Sequence, residues 1–170
     1  QANEPTVLAE NSFSVLEQIA RTIVSDNDEE NFPLLDTEEY QVLSISRGTL
    51  TPEELQEIQS HVTHTYNFLT KIPWTAELRN IPDIAYGHHE KLDSSGYPRG
   101  INAASICLQS RMMVISDIYD ALTVADRPYK SAVSVETALD ILENEVKRGK
   151  IDPELFKVFV EGKVYKLTSN

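Results

Sequence analysis

The sequence predicts an all-α fold, a bundle of about seven helices with no sheet. Three observations carry that reading. Apolar residues recur at three- and four-residue spacing in successive segments. Residues that cap helices stand at the start of several of those segments. Glycine is scarce, at six in 170 residues, and β-branched and aromatic residues do not alternate in strand-like runs.

Each element has its own justification. "NSFSVLEQIARTIVSD" reads as an amphipathic helix with Val15, Leu16, Ile19, Ala20, Ile23 and Val24 on one stripe, capped by Ser12 or Ser14. "DNDEEN" follows as an acidic, solvated connector. Residues 1–35 are therefore expected to form an N-terminal helix and linker, and residues 36–170 the helical domain proper. A short helix starts at Asp36, where "DTEE" puts Glu39 three residues after a capping aspartate, and "SRGT" makes a turn after it. "TPEELQEIQSHVTHTYNFL" is the clearest start in the chain, with Thr51 as cap, Pro52 at the first helical position and Glu54 closing a capping box. Its apolar face runs through Leu55, Ile58, Val62, Tyr66 and Leu69, and "KIPWT" ends it.

A further helix is expected from about Pro82 to Lys91, then a long apolar one from Ile106 to Leu122. "SVETALDILENEVKRG" turns Ala138, Leu139, Leu142 and Val146 inward and stops at Gly149. "DPELFKVFV" closes the bundle, opened by Asp152 and Pro153.

Composition excludes several functions. A formal charge of −12 and a pI near 4.7 argue against a nucleic-acid polymer or an anionic membrane as partner, but leave room for a small anion held by local cations. The one cysteine, Cys107, permits neither an internal disulfide nor a thiolate metal cluster. No apolar run approaches membrane-spanning length and no signal peptide is visible, so a cytoplasmic location is the default expectation. A chain opening on Gln1 is expected to be a piece of something longer.

All four histidines fall within residues 61–89. On the expected helices His61 flanks the apolar stripe of its helix, and His64 points further out. His88 stands one turn after Ile84 and His89 one turn after Ala85, so both rings can lean toward a buried seam. Neutral imidazole is a common ligand for zinc, iron and similar ions, and carboxylates complete such sites. The natural carboxylate is Asp117, inside the otherwise apolar "RMMVISDIYDAL", where a charge is expensive unless paired or coordinated. Asp120 follows one turn later. Singly, each residue reads as a satisfied core histidine or an ion-paired aspartate. Together, His61, His88, His89 and Asp117 read as a metal site, with His64 left as a surface histidine.

The segment "HHEKLDSSGYPRG" resembles the HHExxDGxGYPxG signature of HD-GYP domains, a branch of the HD phosphohydrolase superfamily. "ISDIYDALTVADRPYK" and the helix that follows "GTLTPEE" resemble the same family, and the likeness covers roughly residues 36–165. It implies an HD-domain-like helical bundle with divalent metal ions, iron, manganese or similar, that hydrolyses cyclic di-GMP in bacterial signalling. His61, His88, His89 and Asp117 are implied as metal ligands. Arg127 and Lys130 match positions that hold nucleotide phosphate, and Tyr97 belongs to the loop at the substrate mouth. Lys91 and Arg99 are weaker electrostatic candidates. Glu90 or Asp93 is expected to order the loop from behind the ligands.

The chain departs from the family pattern twice. Ser94 replaces the glycine after the aspartate, which matters if that position needs a positive φ. The adjacent His-Asp pair that names the family is missing, because no histidine precedes His61 in "ENFPLLDTEEYQVLS" or anywhere earlier, and Asp36 there reads as a helix cap. Two functions follow as expectations. One is a metal-dependent phosphodiesterase with an incomplete site and impaired catalysis. The other is an inactive module that binds cyclic di-GMP, a related nucleotide or a protein partner through the Gly-Tyr-Pro loop and the Tyr119–Tyr129 region. A helical scaffold without ligand is the blandest alternative.

Overall fold

The computed structural model describes residues 10–25, 31–45, 50–124 and 132–167. It is mostly helical, and the chain divides into two compact units, residues 1–58 and 59–170.

The first unit holds α1 (Glu10–Ala20), a two-stranded antiparallel ribbon of β1 (Ile23–Ser25) and β2 (Asn31–Pro33), α2 (Thr37–Leu43) and most of α3 (Pro52–Gln59). The ribbon corrects the expectation of no strand. Thr22, Ile23 and Val24 are β-branched, and they leave the helix after Ala20 to pair, with Val24 opposite Phe32. Helix α1 also begins earlier than expected, so Ser12 and Ser14 lie inside it. Both expected capping boxes form. The Asp36 carboxylate accepts from the Glu39 N–H at 2.8 Å while the Glu39 carboxylate accepts from the Asp36 N–H at 2.9 Å. Thr51 and Glu54 repeat the arrangement at 3.2 and 2.8 Å.

The second unit contains α4 (His61–Leu69), α5 (Ile81–Tyr86), α6 (Leu108–Thr123), α7 (Val135–Lys147) and α8 (Pro153–Glu161), with single 3₁₀ turns at Ala103–Ser105 and Val164–Lys166. The one long helix expected from Thr51 to Leu69 is broken at Ser60, ahead of a run of Val, Thr and His with modest helix propensity. Helix α4 closes where the Trp74 indole donates to the Leu69 carbonyl at 2.8 Å, satisfying an end that "KIPWT" leaves open.

The core of this unit is built from Val114, Ile115 and Tyr119 of α6, Ala138 and Leu142 of α7, and Ile151 and Phe159 in and before α8. Fully burying side chains of this size stabilises by roughly 1.5–3 kcal/mol each. Polar clamps fix the helix ends around it. Arg111 donates to the carbonyls of Ile106 and Ala103 and to Asp152 Oδ2 at 3.1 Å, while Asp152 Oδ1 caps α8 through the Glu154 and Leu155 N–H groups. Gly149, at φ 73°, terminates α7. No helix among the described residues is long and apolar enough to cross a membrane.

Helix α5 is shorter than the sequence pattern indicates. It stops at Tyr86, Gly87 follows as the cap, and His88, His89 and Glu90 lie in the turn beyond. The loop after them folds back on its own start. Tyr97 N–H donates to the His89 carbonyl at 3.2 Å and Leu92 N–H to the Lys150 carbonyl at 3.0 Å. The Tyr97–Pro98 peptide is cis. Asp93 accepts from the Ser95 N–H at 3.0 Å and its hydroxyl at 2.6 Å, a side-chain turn that leaves Ser94 at φ 65°. The family pattern has glycine where Ser94 stands, and the positive φ supplies the reason.

Gly96 is needed for a different cause. A Cβ there would lie 2.4–2.5 Å from backbone atoms of Lys91, Glu90 and His89, none of which is the end of a flexible side chain. Gly96→Ala is expected to destabilise the protein by about 2–3 kcal/mol, because two backbone segments must part. Ser94→Gly is expected to stabilise it by up to ~1 kcal/mol, since relief of left-handed strain exceeds the added chain entropy. Urea denaturation of the two variants against wild type measures both, and a neutral Gly96→Ala would refute the close packing of this loop.

Candidate metal centre

Three imidazoles meet in the second unit. His61 comes from the first turn of α4, and His88 and His89 from the turn that ends α5. Ring centroids are 5.9 Å apart for His61 and His88, 5.3 Å for His61 and His89, and 4.1 Å for the tandem pair. One ring nitrogen from each can be chosen so that all three lie within 4.8 Å of one another. His61 is exposed, and the other two are half-buried.

The convergence has a local cause. Tyr66, five residues after His61 on α4, stacks on Tyr86, two residues before His88, with centroids 4.3 Å apart. That stack sets α4 against the end of α5 and so brings His61 to the tandem pair. Helix α6 is held by a second contact. The Ser110 hydroxyl donates to the Ile84 carbonyl at 2.8 Å, and a Cβ on Gly87 would meet Ser110 Oγ at 2.8 Å. Asp117 lies seven residues beyond Ser110, two helical turns along the same side of α6. Its Oδ2 is 3.7 Å from His89 Nδ1.

Hydrogen bonding assigns one tautomer. His88 Nδ1 faces the Ala85 carbonyl, which can only accept, so Nδ1 carries the proton and Nε2 keeps its lone pair. Electrostatics keep His89 neutral. Burial, then the His88 ring, push its pKa down to about 4, against an opposing pull from Asp117. Tyr97 stacks on His89 with centroids 4.7 Å apart. Its phenol is pushed up by burial and by Asp117, and therefore remains a donor at neutral pH. Burial also lowers the Lys91 ammonium, ahead of smaller effects from Glu145 and Lys150.

Glu90 follows the pair and is nearly fully buried at 1% exposure. Its carboxylate accepts from the Arg99 N–H at 2.8 Å and the Ile101 N–H at 3.1 Å. This is the loop-ordering role expected of Glu90 or Asp93, with Asp93 confined to its own turn.

The remaining residues singled out by sequence divide plainly. His64 is exposed on α4, outside the cluster. Asp117 is near the histidines but does not sit in an apolar interior. Its side chain is 45% exposed, because Val114, Ile115 and Tyr119 take the inward face of α6, so the expected burial cost is absent. Arg127 and Lys130 fall outside the described residues. The sequence reading missed Tyr66, Tyr86, Gly87 and Ser110. Glycine directly before the histidine pair was the one readable signal among them, as a helix stop.

A model of the HD domain family matches residues 38–155. Among curated proteins the chain is similar to the 3'3'-cGAMP-specific phosphodiesterase 3 of Vibrio cholerae, at 39% identity over 109 residues, 64% of this chain and 23% of that protein. It is 38% identical to the 3'3'-cGAMP-specific phosphodiesterase 1 of the same organism over 113 residues, 66% and 25% of the two chains. A cyclic di-GMP phosphodiesterase of Thermotoga maritima is 34% identical over 115 residues, 67% and 30%. The aligned part is thus about a quarter of the length of these relatives. With the family match spanning most of the chain and "HHEKLDSSGYPRG" wrapped around the three imidazoles, the chain belongs to the HD domain family, in its HD-GYP branch.

Proposed function

We propose that this chain carries a metal-dependent phosphodiesterase domain, beginning near residue 36, that acts on a cyclic dinucleotide, cyclic di-GMP or 3'3'-cGAMP. The observation that carries the reading is the meeting of His61, His88 and His89 within 4.8 Å. Two nitrogens on one ion, each ~2.1 Å from it, lie at most ~4.2 Å apart. Small side-chain rotations therefore suffice, and the donor set fits a divalent ion of the iron, manganese or zinc type. Asp117, beside His89, is the carboxylate that would complete the set. A bound ion would supply Lewis-acid polarisation of a phosphodiester oxygen.

The chain's own residues have separate tasks. The Ala85 carbonyl fixes the His88 tautomer, and the stacked Tyr97 ring shields one face of His89 from water. The Tyr97 phenol is a donor at the substrate mouth. By resemblance, Arg127 and Lys130 neutralise phosphate on an otherwise acidic protein. A second reading is favoured by one observation, that no histidine precedes His61. In it the same site binds the nucleotide, or a protein partner, without cleaving it.

Elemental analysis and a hydrolysis assay decide between them. Wild type is expected to retain at least one transition-metal ion per chain and to convert cyclic di-GMP or 3'3'-cGAMP to the linear dinucleotide. His61→Ala is expected to lose metal affinity by tenfold or more. Metal and nucleotide binding without turnover selects the second reading, and absence of both overturns the site.

Protons offer an independent check. Folded His89 takes up its proton only near pH 4, whereas an unfolded histidine does so near 6.5. Between these values the unfolded chain binds the extra proton, so the metal-free protein loses stability as pH falls from 6.5 towards 4, with no contribution above 6.5. In His89→Gln that part of the loss is expected to vanish. Urea midpoints of chelator-treated protein at pH 7 and 4.5 measure it, and equal losses in both proteins would refute the burial of His89.

A further inference from the structure

In the family pattern the residue after Gly-Tyr-Pro is unspecified, and in this chain it is Arg99. The structure gives that side chain an unusually defined place. Its guanidinium carbon lies 4.8 Å above the centre of the Tyr86 ring, which itself rests on Tyr66. Its Nε is 3.7 Å from Glu90 Oε1, and its backbone N–H donates to the same oxygen at 2.8 Å. Arg99 therefore lies over one ring of the aromatic pair that brings α4 to the histidine pair, while the residue two before it, Tyr97, lies against His89. A long, flexible side chain is held by two contacts, and its backbone by a third, before any ligand arrives.

Its hydrogen-bonding capacity is nevertheless unspent. The guanidinium carbon sits over Tyr86, and Nε is the nitrogen near Glu90. Neither terminal nitrogen has an acceptor within hydrogen-bond distance among the described residues, and the side chain is 38% exposed. Glu90 does not cancel this donor fork. Its carboxylate is fully buried and its oxygens accept from two backbone N–H groups, so an incoming anion meets the guanidinium and not the carboxylate. A pre-positioned fork with open N–H groups is the geometry that recognises phosphate.

We propose that Arg99 is a substrate-positioning residue that binds a phosphate of the cyclic dinucleotide. This rests on the cyclic-dinucleotide reading above. A cyclic dinucleotide carries two phosphodiesters, and only one can lie at the imidazole cluster. Arg99, two residues beyond the Tyr97 that stacks on His89, holds the other. Selectivity for a two-phosphate substrate then resides at a position the family leaves free.

The test compares wild type, Arg99→Met and Arg99→Lys, all metal-loaded. Methionine preserves contact with Tyr86 and removes the charge; lysine keeps the charge without the fork. Metal content by elemental analysis verifies that the histidine cluster is intact in each. Calorimetric titration with cyclic di-GMP and 3'3'-cGAMP is expected to show about tenfold weaker binding for Arg99→Met, with Arg99→Lys between it and wild type. Bis(p-nitrophenyl) phosphate, with a single diester, should lose markedly less affinity in Arg99→Met than the cyclic dinucleotides do. Equal binding of cyclic dinucleotide by wild type and Arg99→Met overturns the proposal, as does an equal loss for both kinds of ligand, which marks a structural role. Failure of wild type itself to bind either cyclic dinucleotide overturns the underlying reading instead.

Discussion

The arrangement depends first on one buried charge. Glu90 is almost inaccessible to water, and a carboxylate in that position is tolerated only where hydrogen bonds replace its hydration. The Arg99 and Ile101 N–H groups provide them from nine and eleven residues downstream. Satisfying Glu90 therefore forces the chain to return, and the return creates the loop. Tyr97 is brought onto His89, Arg99 onto Tyr86, and Gly96 against the backbone of residues 89–91. Charge burial here acts as a constraint on shape. Removing it would leave two orphaned amides and a loop with nothing to fold against.

The second constraint is close approach. Two contacts bring separate helices to the histidines, and the first relies on what is absent from a residue. Gly87 has no Cβ, so Ser110 can reach the Ile84 carbonyl and fix the register of α6. The Tyr66–Tyr86 stack then sets α4 from the opposite side. Imidazoles more than twenty positions apart in sequence are thereby placed around one point, while the core of α6, α7 and α8 supplies the packed backing.

How much of this could be read beforehand divides along physical lines. Local hydrogen-bond chemistry was legible. The boxes at Asp36–Glu39 and Thr51–Glu54, the Asp152 cap and the Gly149 stop all follow from side chains acting within four residues of themselves. The cluster of His61, His88 and His89 was legible too, because the motif is long. What failed was extrapolating periodicity. The pattern through Lys91 suggested one helix, yet Gly87 ends it and the backbone turns to serve Glu90. Likewise Ile23 and Val24 fit a helical stripe but pair as strand, where β-branched residues pack at less cost. Asp117 was sought for the wrong reason. Apolar neighbours in sequence do not bury a residue whose own direction is outward. The aromatic stack under Arg99 was not legible at all, since twenty residues separate its two rings and only the tertiary fold joins them.

The balance of charge bears on how the proposed site would take up its ligand. On the proposed reading, imidazole donors would leave the charge of a bound dication almost whole, and Asp117 would be the carboxylate beside them that compensates it. Such a centre would attract phosphate within a protein of net charge −12, where distant charge repels it. Two dications held ~3.5–4 Å apart are another matter, because their repulsion is ordinarily offset by a carboxylate shared between them. The described residues offer one aspartate beside the cluster and no second in it. Capture of a dianionic ligand is the part of the proposed function that Arg99, held over Tyr86, would serve.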